Sequence, residues 1–365
     1  MKILILEPYF TGSHKQWAEG YQKHSKHKVK ILSMKGQFWK WRMHGGAVTL
    51  AKQFKNINYK PDLILSTDML DLSTFLALTK TKAFSAIYFH ENQLSYPWSP
   101  NDRDFRKKRD HHYSFINYIS ALSADHVLFN SRFHMDIFLK ELHSFLNHFP
   151  DHNEMESIKI IEKKSEVLSL AIELKKFDTY KNKKHNNPLI LWNHRWEYDK
   201  NPELFFKSLK HVKDEGYSFD LVVLGENFSN SPEIFQNAKD IFKENILHWG
   251  YAKNFDSYAK WLWKANILPV TSNQDFFGVS VMEAIYCEAY PLLPKRLSFP
   301  ELIPNKFHSD HFYQNESELN EKLINIIKTY KNRDLKALKK VVLKYDWNYL
   351  ASVYDDKMDS LLKKQ

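Results

Sequence analysis

Met1-Lys2-Ile3-Leu4-Ile5-Leu6-Glu7-Pro8-Tyr9-Phe10-Thr11-Gly12-Ser13-His14-Lys15 opens the chain. Four apolar residues, Ile3 to Leu6, run straight into Glu7 and a loop containing Gly12. Such a run is too short for a signal-peptide core, which needs about 7–15 apolar residues. It suits a strand buried on both faces. The unit recurs at Val29–Leu32, Leu63–Leu65, Ala86–Phe89 and Val127–Phe129. Helical patterns fall between these runs at Trp17–His24, Leu70–Thr79, Tyr113–Leu122 and Phe133–Leu146. Apolar runs alternating with amphipathic stretches predict an α/β fold on a parallel sheet.

The alternation breaks at residues 175–188, a lysine- and asparagine-rich stretch closed by Pro188 that reads as a linker. It then restarts, with strands predicted at Leu189–Trp192, Leu221–Leu224, Ile246–Trp249, Ile267–Val270 and Pro291–Leu293. Helices are expected at Pro202–Val212, Pro232–Phe242, Phe255–Lys264 and Val279–Glu288, and again in the tail at Glu318–Tyr330, Leu335–Leu343 and Trp347–Leu362. The expected division is residues 1–180, residues 181–335, and a helical tail from 336 to 365 crossing back to the first domain. Ligands of doubly wound sheets bind outside the carboxyl ends of the strands, so the expected active site is a cleft between the two domains.

The 365 residues carry a net charge of +10, which favours an anionic partner. Basic clusters occur at Lys23–Lys30, Lys181–His185 and Arg103–His112, the last with an interleaved aromatic, Phe105. One cysteine, Cys287, leaves no disulfide framework and no Cys-cluster zinc site. A cytoplasmic protein with no transmembrane segment is expected. The loop after Leu6 lacks Gly-x-Gly-x-x-Gly, which disfavours a dinucleotide dehydrogenase. No P-loop, Gly-x-Ser-x-Gly elbow or His-Glu-x-x-His is present.

The most specific constellation is Asp275-Phe276-Phe277-Gly278-Val279-Ser280-Val281-Met282-Glu283. Two acids eight positions apart flank a helix start at Gly278. Free amides at Gly278, Val279 and Ser280 suit a phosphate. Asp275 suits sugar hydroxyls, and Glu283, on the face of Val279, suits a ribose diol; the alternative is a loop acid followed by a glutamate on a helix surface. The loop Asn193–Asn201 follows a predicted strand and carries Arg195 and Lys200, a clamp for a diphosphate or a solvated surface pair. In the first half, His90 ends a strand and is either a group facing substrate or a structural histidine. Gly12-Ser13-His14 stands at the end of the first strand, where Gly12 admits a substrate or makes a turn.

These residues together resemble retaining glycosyltransferases of the GT-B fold, family-4 type. Leu4–Glu7 with Gly12–Lys15, Tyr88–Pro97, Arg103–Phe105, Phe129–Ser131, Trp192–Lys200, Val223–Glu226, Leu247–Tyr251 and Asp275–Ala284 are similar to the tRNA-queuosine α-mannosyltransferase family. The resemblance implies two Rossmann-like domains facing across a cleft. It implies mannosyl transfer from the nucleotide-sugar GDP-mannose to queuosine in a tRNA anticodon loop, with no metal or other cofactor. His90, Arg195, Lys200 and Asp275 then serve catalysis. Gly225, Gly278, Val279, Ser280 and Glu283 hold the donor. Gly12, Ser13, His14, Glu91, Asn92, Gln93, Arg103 and Asn130 lie on the acceptor side. Two positions depart from the pattern: Asp275 replaces the more usual Glu, and Glu288 stands where Gly normally provides a left-handed helix cap. Alternatives are a lipid or small-sugar acceptor at a membrane, with Phe38–Met43 as the contacting segment, and an inactive RNA-binding protein on the same scaffold.

Overall fold

The computed structural model describes residues 1–99, 111–226 and 232–363. Two compact units divide the chain. One comprises Met1–Glu173 with Tyr345–Gln365, and the other Leu174–Lys344.

The first unit holds a six-stranded parallel sheet made of β1 (Lys2–Phe10), β2 (Lys28–Lys35), β3 (Leu63–Thr67), β4 (Phe84–Phe89), β5 (His126–Phe129) and β6 (Ser165–Val167), in the order β2-β1-β3-β4-β5-β6. The winding reverses between β1 and β3. Ile3–Leu6, Leu63–Leu65 and Ile87–Phe89 are fully buried, as strands covered on both faces require. The helix Trp347–Lys363 closes this unit. Its Tyr354 hydroxyl accepts from Trp17 Nε1 at 3.1 Å, and Asp355 accepts from the Tyr21 hydroxyl at 3.1 Å.

The second unit holds β7 (Leu189–Trp192), β8 (Asp220–Val223), β9 (Ile246–Trp249), β10 (Ile267–Pro269), β11 (Tyr290–Pro294) and β12 (Phe312–Tyr313), all parallel, in the order β12-β11-β10-β7-β8-β9. Its winding reverses between β7 and β10. The core is strongly aromatic: Trp192, Trp196, Phe205, Phe206, Phe235 and Phe242 are buried together.

The unit boundaries differ from those expected from sequence. The first lies at 173/174, not 180/181, because residues Leu174–Tyr180 form a 3-10 turn whose Leu174 and Phe177 are buried in the second unit. The stretch 175–188 is docked: Lys184 Nζ donates to the carbonyls of Ala265 at 2.6 Å and Cys287 at 2.8 Å. The second boundary lies at 344/345, not 335/336. Leu338 and Val342 of the helix Lys336–Val342 are buried in the second unit, and Lys339 pairs with Glu288 at 3.1 Å. Among the described residues, no helix is long and apolar enough to cross a membrane.

Candidate active site

In the second unit, the loops after β7 and β10 flank the reversal of winding, the position at which doubly wound sheets bind ligands. The loop after β7 ends in a 3-10 turn, Tyr198–Lys200. Asn201 then takes a left-handed conformation, and its side chain caps the helix Pro202–Asp214 by accepting from the Leu204 N–H. This turn carries Lys200 inward. Its ammonium lies 3.1 Å from Asp199, 3.2 Å from Asp275, and donates to the Gln274 carbonyl at 2.6 Å. Burial pulls the Lys200 pKa down, but Asp275 and Asp199 more than offset this, and it stands above the usual lysine value. Lys200 and Asp275, singled out in the sequence for separate tasks, are thus in direct contact across the reversal point. Arg195 is about half exposed and lies 3.3 Å from Glu197. Both expected cations therefore have carboxylate partners, and the pair is not the bare positive clamp the sequence suggests.

The helix Val279–Tyr286 starts at Gly278 in a left-handed conformation, with no side chain capping its first turn. Its first-turn amides, at Val279 and Ser280, are the ones the sequence singled out. Ser280 is tied back to the β7 loop: its carbonyl accepts from Asn193 Nδ2 at 2.7 Å, and its hydroxyl meets His194 Nδ1 at 3.2 Å. Burial, and next the Lys200 charge, lower His194 to about 4, so its imidazole is neutral. Glu283 is buried and accepts from the Tyr258 hydroxyl at 2.6 Å. Burial raises it to about 7, opposed by Tyr258 and Lys176. Gly225 is half-buried, and a Cβ there would meet the His194 carbonyl at 1.9 Å, so the glycine lets the β8 loop approach the β7 loop closely.

In the first unit, the cluster of polar side chains gathers where β1, β3 and β4 end. Glu7 is fully buried; it accepts from the Tyr9 N–H at 2.8 Å and pairs with His14 Nδ1 at 2.9 Å. Burial works against the charged form of His14, but Glu7 prevails and its pKa rises to about 9, making it an imidazolium. His14 packs on His90 at a tilt of 35°, ring centroids 4.3 Å apart, and Trp17 meets His90 edge-on at 4.8 Å. Burial, then the His14 charge, hold His90 well below its ordinary value. His90 donates its backbone N–H to Asp68 at 2.7 Å. Its ring Nε2 is buried and has no hydrogen-bond partner among the described residues. The Asp68 carboxyl is pushed up by burial.

Glu7, His14 and His90 bring their ligand atoms within 4.8 Å of one another, near enough to share an ion, though hydrogen bonds already engage both Glu7 oxygens. Gly12 has a left-handed backbone and open space where a Cβ would stand, and Ser13 beside it is exposed.

Three expected acceptor-side residues build the loop instead. Asn92 is fully buried and accepts from the Leu94 and Ser95 amides, making a turn. Gln93 donates its amide to Asn117 at 2.7 Å and its side chain to Glu91 at 3.2 Å. Asn130 donates to the His90 carbonyl at 2.9 Å and meets His134 Nδ1 at 2.8 Å, fixing the loop from beneath. Arg103 lies outside the described residues. Sequence reasoning gave no role to Glu7, Asp68, Asp199, His194 or Tyr258. Glu7 had a signal, being an acid inside an apolar strand; Tyr258 had none, since only the fold brings its helix to Glu283.

Residues 2–172 match the tRNA-queuosine alpha-mannosyltransferase N-terminal family, and residues 175–340 match glycosyl transferases group 1. A tRNA-queuosine alpha-mannosyltransferase of Drosophila melanogaster is 31% identical over 335 residues, covering 88% of this chain and 86% of the fly protein. The chain belongs to the tRNA-queuosine α-mannosyltransferase family. It is a glycosyltransferase. Solved structures agree on the fold. Sucrose-phosphate synthase from Thermosynechococcus elongatus superposes with a TM-score of 0.73 at 12% identity, covering 100% of both chains. A glycosyltransferase from Rickettsia africae superposes with a TM-score of 0.69 at 17% identity, covering 100% of this chain and 99% of its own. The fold of this tRNA-queuosine α-mannosyltransferase family member is GT-B.

Proposed function

We propose that the protein transfers a mannosyl group, with retention, from GDP-mannose to a hydroxyl of the queuosine nucleoside in a tRNA anticodon loop, in the cytoplasm. The observation that carries this reading is the set of groups at the β7/β10 reversal: Lys200 against Asp275, Arg195 beside them, and an uncapped helix start at Gly278. The family membership supports the acceptor class.

In this reading the diphosphate rests on the Val279 and Ser280 amides. Arg195 and Lys200 stabilise the charge that grows on it as the bond from the sugar C1 to the phosphate oxygen breaks. Lys200 also orients Asp275, which takes sugar hydroxyls. Ionised Glu283 accepts from the ribose, with Tyr258 fixing one of its oxygens. The acceptor oxygen bonds to C1, and its proton passes to a diphosphate oxygen. The charge is met by these side chains and amides, without a metal ion. On the acceptor side, His90 offers its unpartnered Nε2 to a hydroxyl, and Gly12 leaves room for the nucleoside.

The test is to incubate the protein, with and without a chelator, with GDP-mannose or UDP-sugars and with tRNA containing or lacking queuosine, then to weigh the nucleosides. A hexose-sized mass gain on queuosine from GDP-mannose alone, insensitive to chelator, is expected. No mass gain in any queuosine-containing sample overturns the acceptor; a gain only from UDP-sugars overturns the donor.

A further inference from the structure

The segment Phe38-Trp39-Lys40-Trp41-Arg42 begins the helix Trp39–Asn56, just after the carboxyl end of β2, and none of its side chains has a part in the site above. Phe38 is 76% exposed and Trp41 63%, the two most exposed large hydrophobic side chains among the described residues of the first unit. Their exposure is built in. Phe38 holds a left-handed backbone, φ 55°, which is strained for a bulky side chain and turns its ring outward. Trp41 lies over Gly45, where a Cβ would come within 2.7 Å of the indole. The helix therefore omits a side chain under a ring that remains open to solvent.

Three cations, Lys35, Lys40 and Arg42, neighbour these rings in the sequence, and residues 20–61 contain no Asp or Glu. Lys35 is exposed, and its carbonyl accepts from Arg42 Nε at 3.1 Å. Lys40 stands over three aromatic faces, Trp39 at 5.5 Å and Trp98 and Tyr113 at 5.7 Å. The platform adjoins the acceptor-side cluster. Gly36 sits so close to Thr11 that a Cβ would meet its side chain at 2.4 Å, and Trp39 and Tyr113 pack with Tyr9 at the end of β1.

Accessible aromatic faces ringed by cations fit single-stranded RNA, whose unstacked bases lie on rings while phosphates meet Lys and Arg. A lipid surface fits poorly. A helix lying in a membrane interface needs a continuous outward apolar face, whereas Met43, Ala47, Leu50 and Ala51 of this helix are buried in the unit. We propose that Phe38 and Trp41 form a stacking platform for unpaired bases of the RNA that carries the acceptor nucleoside, with Lys35 and Arg42 meeting its phosphates. The choice of RNA rests on the proposed acceptor.

The full chain is titrated into a fluorescent anticodon stem–loop RNA, an assay that needs no sugar transfer. Combined Phe38→Ala and Trp41→Ala raises Kd at least about tenfold, because base–aromatic stacking is lost. The slope of binding against salt is unchanged, because no charge is removed. Phe38→Tyr with Trp41→Phe restores binding, and nucleoside diphosphate affinity and thermal midpoint stay at wild-type values in both variants. An unchanged Kd in the alanine variant, or no RNA binding by the wild type, overturns the platform. So does loss of sedimentation with phosphatidylserine vesicles while RNA binding persists. RNA binding that depends on these rings in a protein that transfers no sugar to tRNA leaves the platform standing and fails the proposed function. Normal transfer with an unchanged KM for tRNA in the alanine variant does the reverse.

Discussion

The two units solve one problem with different windings and different chemistry. In the first the order reverses between β1 and β3, and in the second between β7 and β10. Each reversal gathers buried polar groups, but the second unit's set is an ion cluster, Lys200 between Asp199 and Asp275. The first unit's set is aromatic and histidine-rich, with one imidazolium, His14, and one neutral ring, His90, packed against it at a tilt. A charge cluster suits a leaving diphosphate. A neutral imidazole with a spare nitrogen suits a hydroxyl. The lesson is that similar sheets leave the chemistry to the residues at their loop ends.

The contrast is tested hardest at Lys200. Lys200→Met leaves Asp199 and Asp275 without their shared cation, and is expected to cost about 3–5 kcal/mol in urea unfolding, as for a broken buried ion pair. Turnover should fall with it. Arg195→Ala separates the two effects: turnover is expected to drop about 10²-fold or more, while the thermal midpoint holds, because the Arg195 side chain is about half exposed. Near-normal turnover in this variant removes Arg195 from the site.

In the first unit, His90→Phe keeps an aromatic ring against His14 and Trp17 and loses the nitrogen. It should lower turnover about tenfold, the worth of one hydrogen bond, and leave nucleotide affinity untouched. A loss of nucleotide affinity would erase the distinction between the units.

Glu283 gives a pH test. Its folded pKa of about 7 lies above the ordinary 4.5. The folded state therefore holds a proton that the unfolded chain releases. This contribution to stability is fully present below about 4.5 and is lost as pH rises through about 7. Glu283→Gln should flatten stability across that window in pH-dependent melts. Wild-type nucleotide-sugar affinity should rise over the same window as the carboxylate ionises.

The smallest effect is expected at Glu288, which holds φ 63° where glycine is the ordinary choice. Glu288→Gly relieves that strain but loses the Lys339 pair and loosens the unfolded chain. The net change should stay within about 1 kcal/mol in denaturant melts.

Much of this architecture was legible from short apolar runs: ten of the twelve strands among the described residues announce themselves that way. The two that do not are edge strands of two or three residues, and Ser165-Glu166-Val167 offers no apolar run to read. The helix Trp39–Asn56 was hidden by Gly45-Gly46, which reads as a break, while its buried face relies on Gly46, Ala47 and Ala51. In the candidate site, Asp275 and Glu283 stood out by their spacing and Lys200 by its place in the loop after β7, while the contact between Lys200 and Asp275 needed the fold. The burial that turns Asn92 and Asn130 into scaffolding was not, because a polar side chain looks the same in sequence whether it meets a ligand or a backbone amide.

The chain leaves the first unit after Glu173 and re-enters it at Tyr345, and the Ile172 N–H donates to the Tyr345 carbonyl at 2.8 Å beside the Ile172–Asp346 bridge. The second unit is thus an insert with neighbouring entry and exit points, and the sheet and closing helix of its host come together at the seam from which it departs and to which it returns.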